Sequence, residues 1–530
     1  MPKKSRDRFD SIVIGAGHNG LITAAYLASA GQNVAVFERR GVVGGACCTA
    51  PIFKDVSFSL AASWAGMLRR EIIEDFELEK RGLELNPCNP QIVSLSPDGN
   101  HFVIYLDDKE TVENLKENDC PNRKKDAHHF LEFMSYCEEL SDTLDEFLTH
   151  GDANLSELIN SLKDKKQDKS IIDITTQSVS SVLSRYFKSP IVQSTLAMDA
   201  IAIRNTSPGY PGTAYHLFYM MTARIGGSRM TWGTSTGGMG KITELLLEVA
   251  TDKGANVFTD SPVKEIELCE KCVSGVVLED GRRFLADRVI SSADPKTTIN
   301  KLLPQDEALK PLQEKVAAMN SDGQCTIIHF HLKSLPALKR NQCSLQSPLI
   351  HSGMTIIAPD LEYITQAHHE AAIERKIPTN PILTIGVPSI KDKTLVADNS
   401  EIMSVLVQFT PYSVCKENPS EARALIIKNV LYVLEKYYVG FESLIKDYVM
   451  LTPIEIERLF GMPGGHPEHL EMQFDQLFEE RPSQCLMQEN GILSGLYLCG
   501  AGTHPGGTVT GLPGFRAAKH IVNEVQNTYN

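Results

Sequence analysis

Ser11-Ile12-Val13-Ile14-Gly15-Ala16-Gly17-His18-Asn19-Gly20-Leu21 decides how this chain begins to fold. An apolar run that empties into glycines at 15, 17 and 20 predicts a strand, a tight turn and a helix over Leu21–Ala30. Gly15 makes the turn, Gly17 lets the backbone approach a pyrophosphate, and Gly20 lets the helix pack on the strand. The helix begins near Asn19, so its unpaired N–H groups and positive end face that pyrophosphate. Asn33-Val-Ala-Val-Phe37 reads as the next strand, and Glu38 at its end is placed to accept hydrogen bonds from ribose hydroxyls. An acid at this position argues against a 2′-phosphate, although Arg39 and Arg40 stand beside it. A dinucleotide is the expected ligand.

The residues after Glu38 select among dinucleotides. Gly44-Gly45-Ala46 puts a second glycine pair just downstream, where an NAD domain would proceed to its next helix. A paired glycine lets the chain pass the far phosphate and ribityl of a longer cofactor. Near the other end, Gly495-Leu-Tyr-Leu-Cys-Gly500-Ala501-Gly502-Thr503-His504-Pro505-Gly506-Gly507 reads as a strand emptying into a glycine-dense loop. A last strand that returns to the first nucleotide loop embraces a long cofactor, and FAD is expected.

Ile12–Leu21, Val36–Arg40 and Gly44–Ala46 resemble the amine oxidase/phytoene desaturase class of FAD oxidoreductases, and within it the phytoene dehydrogenase-related branch. Ser207–His216, Gly237–Gly240, Ser292–Thr298 and Leu496–Gly507 agree in order, as do Leu451–Arg458, Gly461–Gly465 and Phe474–Leu477. The resemblance spans nearly the whole chain. Two segments depart from it: Gly511-Leu-Pro-Gly-Phe-Arg516 before the final helix, and His466-Pro-Glu-His469 in place of a more hydrophobic loop. Both departures bear on the substrate side more than on the flavin side.

The resemblance implies an α/β fold in which a two-dinucleotide-binding-type, Rossmann-like FAD domain is interleaved with a mixed-sheet plus helical substrate domain. The layout expected is 1–90, 225–300 and 485–530 for FAD, and 91–224 with 301–484 for substrate, the helical portion being about 125–201. It implies non-covalent FAD held by Gly15, Gly17, Asn19, Gly20, Glu38, Arg39, Gly44, Gly45, Ala46, Val263, Ala293, Gly500, Gly502, Thr510 and Gly511. Thr510-Gly-Leu-Pro-Gly514 opens the terminal helix, whose positive end would stabilise the N1–C2=O locus of reduced flavin. His504 is the best candidate for acid/base work near the ring. Trp64, Tyr215, His216 and Trp232 are the candidate substrate-chamber residues.

Composition excludes several other roles. The chain has 530 residues, 42% hydrophobic and 22% charged, as in ordinary globular proteins. A net charge of −14 works against nucleic acid and anionic membrane surfaces as partners. No apolar run approaches a spanning helix. The first strand starts too early for a secretory signal, and Lys3, Lys4, Arg6 and Arg8 are too few for a transit peptide. A cytoplasmic location is expected, with the mitochondrial matrix as the alternative that the resemblance raises.

Twelve cysteines are scattered as buried thiols in a reducing compartment would be. Cys269-Glu-Lys-Cys272 has redox and zinc spacing, but alternating residues on both sides make it a hairpin tip with no second pair, so no metal site is expected. Adjacent Cys47-Cys48 is poorly placed to pair. Cys499 reads as a core thiol rather than a covalent flavin anchor. Ala127–Leu148 carries apolar residues at 130, 133, 137, 140, 144 and 147, a helix with one buried stripe.

The chain has no HExxH, nucleophile elbow or Walker loop. Flavin N5 takes hydride itself, so the protein mainly positions and desolvates. The expected function is an FAD-dependent oxidoreductase acting on an apolar polyene or lipid-like substrate. The alternatives are a redox-silent flavoprotein isomerase and a flavin-binding regulatory protein with little turnover. The enzyme readings require a substrate cavity open to the cofactor; the regulatory reading predicts an occluded one. The electron acceptor (oxygen or a quinone) and the oligomeric state stay open at this stage.

Overall fold

Strand Arg8–Ile14 lies inside a seven-stranded sheet, hydrogen-bonded in parallel to Val34–Phe37 on one side and to Arg283–Ser291 on the other. The computed structural model describes residues 8–54, 56–117, 122–339, 349–396, 398–482 and 493–529. Lys3, Lys4 and Arg6, and residues 485–492 of the expected terminal FAD piece, lie outside the described residues. Asn256–Phe258 extends the sheet in parallel beyond Val34–Phe37. At the other edge Arg283–Ser291 pairs twice, first with the hairpin strand Cys272–Leu278 and then, in parallel, with Leu496–Leu498. Arg283–Ser291 therefore stands between the first strand of the chain and the last.

Both faces of this sheet are covered, as a parallel sheet requires. Val13, Val34 and Val36 point into one core with the helices His18–Ser29, Gly240–Asp252 and Leu512–Tyr529, which pack side by side. Ile12, Ile14, Ala35 and Phe37, the alternate positions, point into a second core with Ile299, Leu312 and Val316.

A second seven-stranded sheet runs in the order Ile445–Leu451, Cys325–Leu332, Glu401–Gln408, Leu383–Gly386, Met354–Ile357, Ile92–Leu95, His101–Ile104. It is antiparallel except where Met354–Ile357 meets Ile92–Leu95. Alternate residues of its strands face opposite ways. Ile328, Met403, Val405 and Val407 face the helix Pro419–Tyr437, while Ile327, Ser404 and Leu406 face a cavity. Seven helices between Asp108 and Met220 complete this part of the molecule. In Arg123–His150 the residues Phe130, Phe133, Cys137, Leu140, Leu144 and Phe147 are all buried, as their spacing predicts. The α/β class with an added mixed sheet and helices is the one observed.

Candidate active site

A cavity of about 670 Å³ runs between the two sheets' loops and faces, and its walls fall into two chemically different parts. One part is built of glycine turns. Gly15 sits at φ +91°, a conformation open to glycine, and its N–H donates to Phe37 O at 2.8 Å. Gly17 caps the helix His18–Ser29 with no side chain, which leaves the first-turn amides available to an anion. Gly44 (φ +106°) donates to Ala16 O at 2.8 Å and pairs with Gly17, so the two glycine segments lie against each other. Glu38 joins them: Oε2 accepts from the Ala16 N–H and Oε1 from the Arg40 N–H, both at 2.9 Å.

Gly15, Gly17, Asn19, Glu38, Arg39, Gly44, Gly45, Ala46, Val263 and Ala293 all line this part. Gly20, Gly500, Gly502, Thr510 and Gly511 do not; they stand behind the wall. A Cβ on Gly20 would lie 2.1 Å from Gly15 O, on Gly500 2.6 Å from Ser292 O, and on Gly502 2.4 Å from Pro295 Cδ. These glycines allow backbone segments to approach one another, and Ala501, Thr508 and Val509 are the loop residues that reach the cavity. Thr510 Oγ1 accepts from the Leu512 N–H at 3.1 Å, at the start of the terminal helix.

Three titratable groups that the sequence reading does not mark meet here. His18 Nε2, His469 Nδ1 and Asp294 Oδ2 are buried, line the cavity and have no hydrogen-bond partner among the described residues. Burial lowers His18 to about 4 and His469 to about 3, so both are neutral at physiological pH. Burial raises Asp294 to about 7, against the pull of the Lys296 N–H. His18 lies in plain view inside the first motif; His469 and Asp294 arrive from distant segments. The bare amides, the glycine cradle and the unpartnered polar atoms together fit a dinucleotide.

The other part of the cavity is apolar. Trp64, Met67, Met220, Trp232, Met354 and Ile356 line it, joined by Asp199, His351, Thr384 and Ser404. Trp64 and Trp232 are thus where the sequence reading places them. Tyr215 and His216 are not. Both sit on the helix Thr213–Met220 and are buried away from the cavity, Tyr215 packing on Tyr219, Phe474 and Phe478. On a helix that is buried on every side, residue type says nothing about which face meets a cavity.

His504 stands apart from the cavity too, against the expectation of acid/base work. Its ring is buried between Phe147 and Phe478, at centroid distances of 5.8 and 6.4 Å, and does not reach the cavity. Burial holds the imidazole neutral, well below its ordinary value, with Arg516 and Arg481 acting in the same direction. His504→Ala should retain FAD and reduce it within about threefold of the parent rate, while losing about 1–3 kcal/mol of stability. Stopped-flow reduction together with chemical unfolding measures both; a hundredfold loss of rate with flavin retained would restore the catalytic role.

Among the described cysteines, Cys47 and Cys325 border the cavity as buried thiols. Cys269 and Cys272 face each other across the tip of an exposed hairpin. Cys47 and Cys499 are buried, which pushes both thiols up to about 12.

The model of the family of flavin-containing amine oxidoreductases matches residues 20–362. The rat protein "Pyridine nucleotide-disulfide oxidoreductase domain-containing protein 2" is similar at 30% identity, over 98% of this chain and 94% of its own length. A limonene dehydrogenase polypeptide of Castellaniella defragrans is 24% identical over 97% of this chain and 95% of its own. Among solved structures, an oxidoreductase from Methanosarcina mazei superposes with a TM-score of 0.60 at 16% identity, covering 97% of this chain and 99% of that one.

Proposed function

The chain belongs to the flavin-containing amine oxidoreductase family, and we propose that within it the protein is a dehydrogenase or desaturase of an apolar, polyene or lipid-like substrate. It is an FAD-dependent oxidoreductase. Bound FAD supplies a hydride acceptor at N5. The observation that carries the reading is continuity: the glycine cradle and the Met- and Trp-lined chamber are walls of one cavity. The chamber's own residues would bind the substrate and orient its C–H bond toward that acceptor.

In this reading the sheet containing Arg8–Ile14 is the cofactor half and the sheet containing Cys325–Leu332 is the substrate half. Gly15, Gly17 and the His18–Ser29 amides hold the pyrophosphate, and Glu38 the ribose. Leu512–Tyr529 begins just behind the wall formed by Thr508 and Val509, and its positive end would favour a reduced flavin held there. The chamber's side chains exclude water and give affinity through buried apolar area, at roughly 25 cal/mol per Å². The name of the limonene dehydrogenase relative supports an apolar substrate.

Anaerobic mixing of the yellow protein with terpenoid, polyene and lipid probes tests the reading. At least one apolar probe should bleach the oxidised flavin band, and NADH and NADPH should not. Rapid bleaching by a nicotinamide with none by any apolar probe would put a nicotinamide-dependent reductase in its place.

A further inference from the structure

Asp199 is the single charged residue between Lys188 and Arg204, in a stretch otherwise made for a core. Its helix, Pro190–Ile201, buries Ile191, Val192, Leu196, Ala197, Met198, Ala200 and Ile201. A carboxylate in such a setting is costly unless something compensates it. The protein does not compensate it. Asp199 lines the cavity, is only half-buried, and its carboxyl takes no hydrogen bond from any described residue.

The nearest cation is already committed. Arg204 is fully buried, with Nη2 3.0 Å from Glu468 Oε1, and its Nη1 leans on the Asp199 backbone carbonyl rather than the side chain. Of the other acids on the cavity wall, Glu38 takes two backbone amides, Asp294 Oδ1 takes the Lys296 N–H, and Glu279 is exposed to solvent. Burial raises the Asp199 carboxyl to about 6, with Arg204 pulling the other way, so ionisation is within reach at neutral pH.

The site is also rigidly built. Gln408, itself buried, accepts from the Ile203 N–H at 2.8 Å and donates to Ile201 O at 3.1 Å and Arg204 O at 2.8 Å. That clamp holds Ile203 at φ +61°, a costly conformation for a β-branched residue. It pins the helix end from which Asp199 projects. The negative end of the helix dipole lies at the same place and favours a positive or hydrogen-bond-donating group.

We propose that Asp199 recognises a hydrogen-bond-donating head group, hydroxyl or ammonium, on a substrate whose remaining body is apolar. This rests on the apolar-substrate reading above and narrows it from hydrocarbons to amphiphiles. The head group completes the hydrogen bonding that the protein leaves undone, and the chain lies along Met67, Met220, Met354 and Trp232. Methionine side chains adapt to such a body at little cost.

The chain's two tryptophans both line the cavity, so intrinsic fluorescence reports entry independently of turnover. FAD-loaded parent and Asp199→Asn protein are titrated with decane, decanol, decylamine and decanoate, following tryptophan emission and flavin absorption. The parent should bind decanol about tenfold and decylamine about a hundredfold more tightly than decane, and decanoate worst. In Asp199→Asn the decylamine advantage over decanol should fall to within about threefold, with decane unchanged. The variant should melt at or above the parent temperature, because a half-buried charge without a hydrogen-bond partner has been removed; a structural role would lower it. Equal binding of all uncharged chains by the parent, or unchanged discrimination in the variant, overturns the Asp199 assignment and leaves the apolar chamber standing. Failure of every decyl compound to bind the parent overturns the apolar-substrate reading and this proposal with it.

Discussion

Gly20→Val is expected to give a folded but colourless protein. Gly20 faces the first turn so closely that a Cβ would lie 2.1 Å from Gly15 O and 3.2 Å from Ser292 Cβ. The first contact is with backbone, which cannot rotate away as a side chain can. The helix His18–Ser29 must therefore lift from the strand that feeds it, and its amide-bearing end, capped only by Gly17, moves with it. Overpacking of this kind costs about 3 kcal/mol or more, over a hundredfold in the dissociation constant for FAD. Gly31 provides the control, since it has a positive φ of +84° and open space around its Cβ position. Gly31→Asn should bind FAD as the parent does, because asparagine tolerates that backbone region. FAD content after gel filtration measures both; a Gly20→Val protein that keeps stoichiometric FAD removes the close-approach argument.

Arg481→Met should have the other large effect, on stability and cofactor together. Arg481 is fully buried and gives its guanidinium to main-chain carbonyls: Ala501 O at 2.8 Å, Glu468 O at 2.9 Å, Glu471 O at 3.2 Å and Leu470 O at 3.3 Å. It therefore ties the 468–471 turn to the glycine loop at the cavity wall. Methionine fills much of the volume but leaves Ala501 O and Leu470 O without a donor, while Glu468 O keeps the Leu470 N–H and Glu471 O keeps Gln476 Nε2, at about 2–5 kcal/mol. Lysine should not rescue it, because a point ammonium cannot span the fork. A lower unfolding midpoint and weaker FAD retention are the expected pair of results. Parental values for both would show that the clamp is dispensable.

The contrast between these two residues locates what sequence reading reaches. Gly20 belongs to a motif whose geometry is local: strand, turn and helix follow from apolar runs and from backbone regions that glycine alone enters easily. The same locality makes the buried stripe of Arg123–His150 and the hairpin at Cys269 and Cys272 readable, because helix and strand periods are set by neighbouring residues. The returning strand Leu496–Leu498 is readable in the same way, as an apolar run that empties into glycines, and its likeness to a known family agrees. Arg481 carries no such signal, since its partners are carbonyls of segments that only folding brings together.

The substrate side follows the same division. Sequence determined that aromatic and histidine residues were available at 64, 215, 216, 232 and 504. Tertiary structure decided that Trp64 and Trp232 meet the cavity, whereas Tyr215, His216 and His504 are closed into the core. Whether a side chain faces a cavity or a core depends on what packs opposite it, and that surface is supplied by remote segments. Asp199 shows this most sharply. Its charge in an apolar run is visible in the sequence, but its lack of a partner becomes visible only with Arg204 bound to Glu468, 264 residues away.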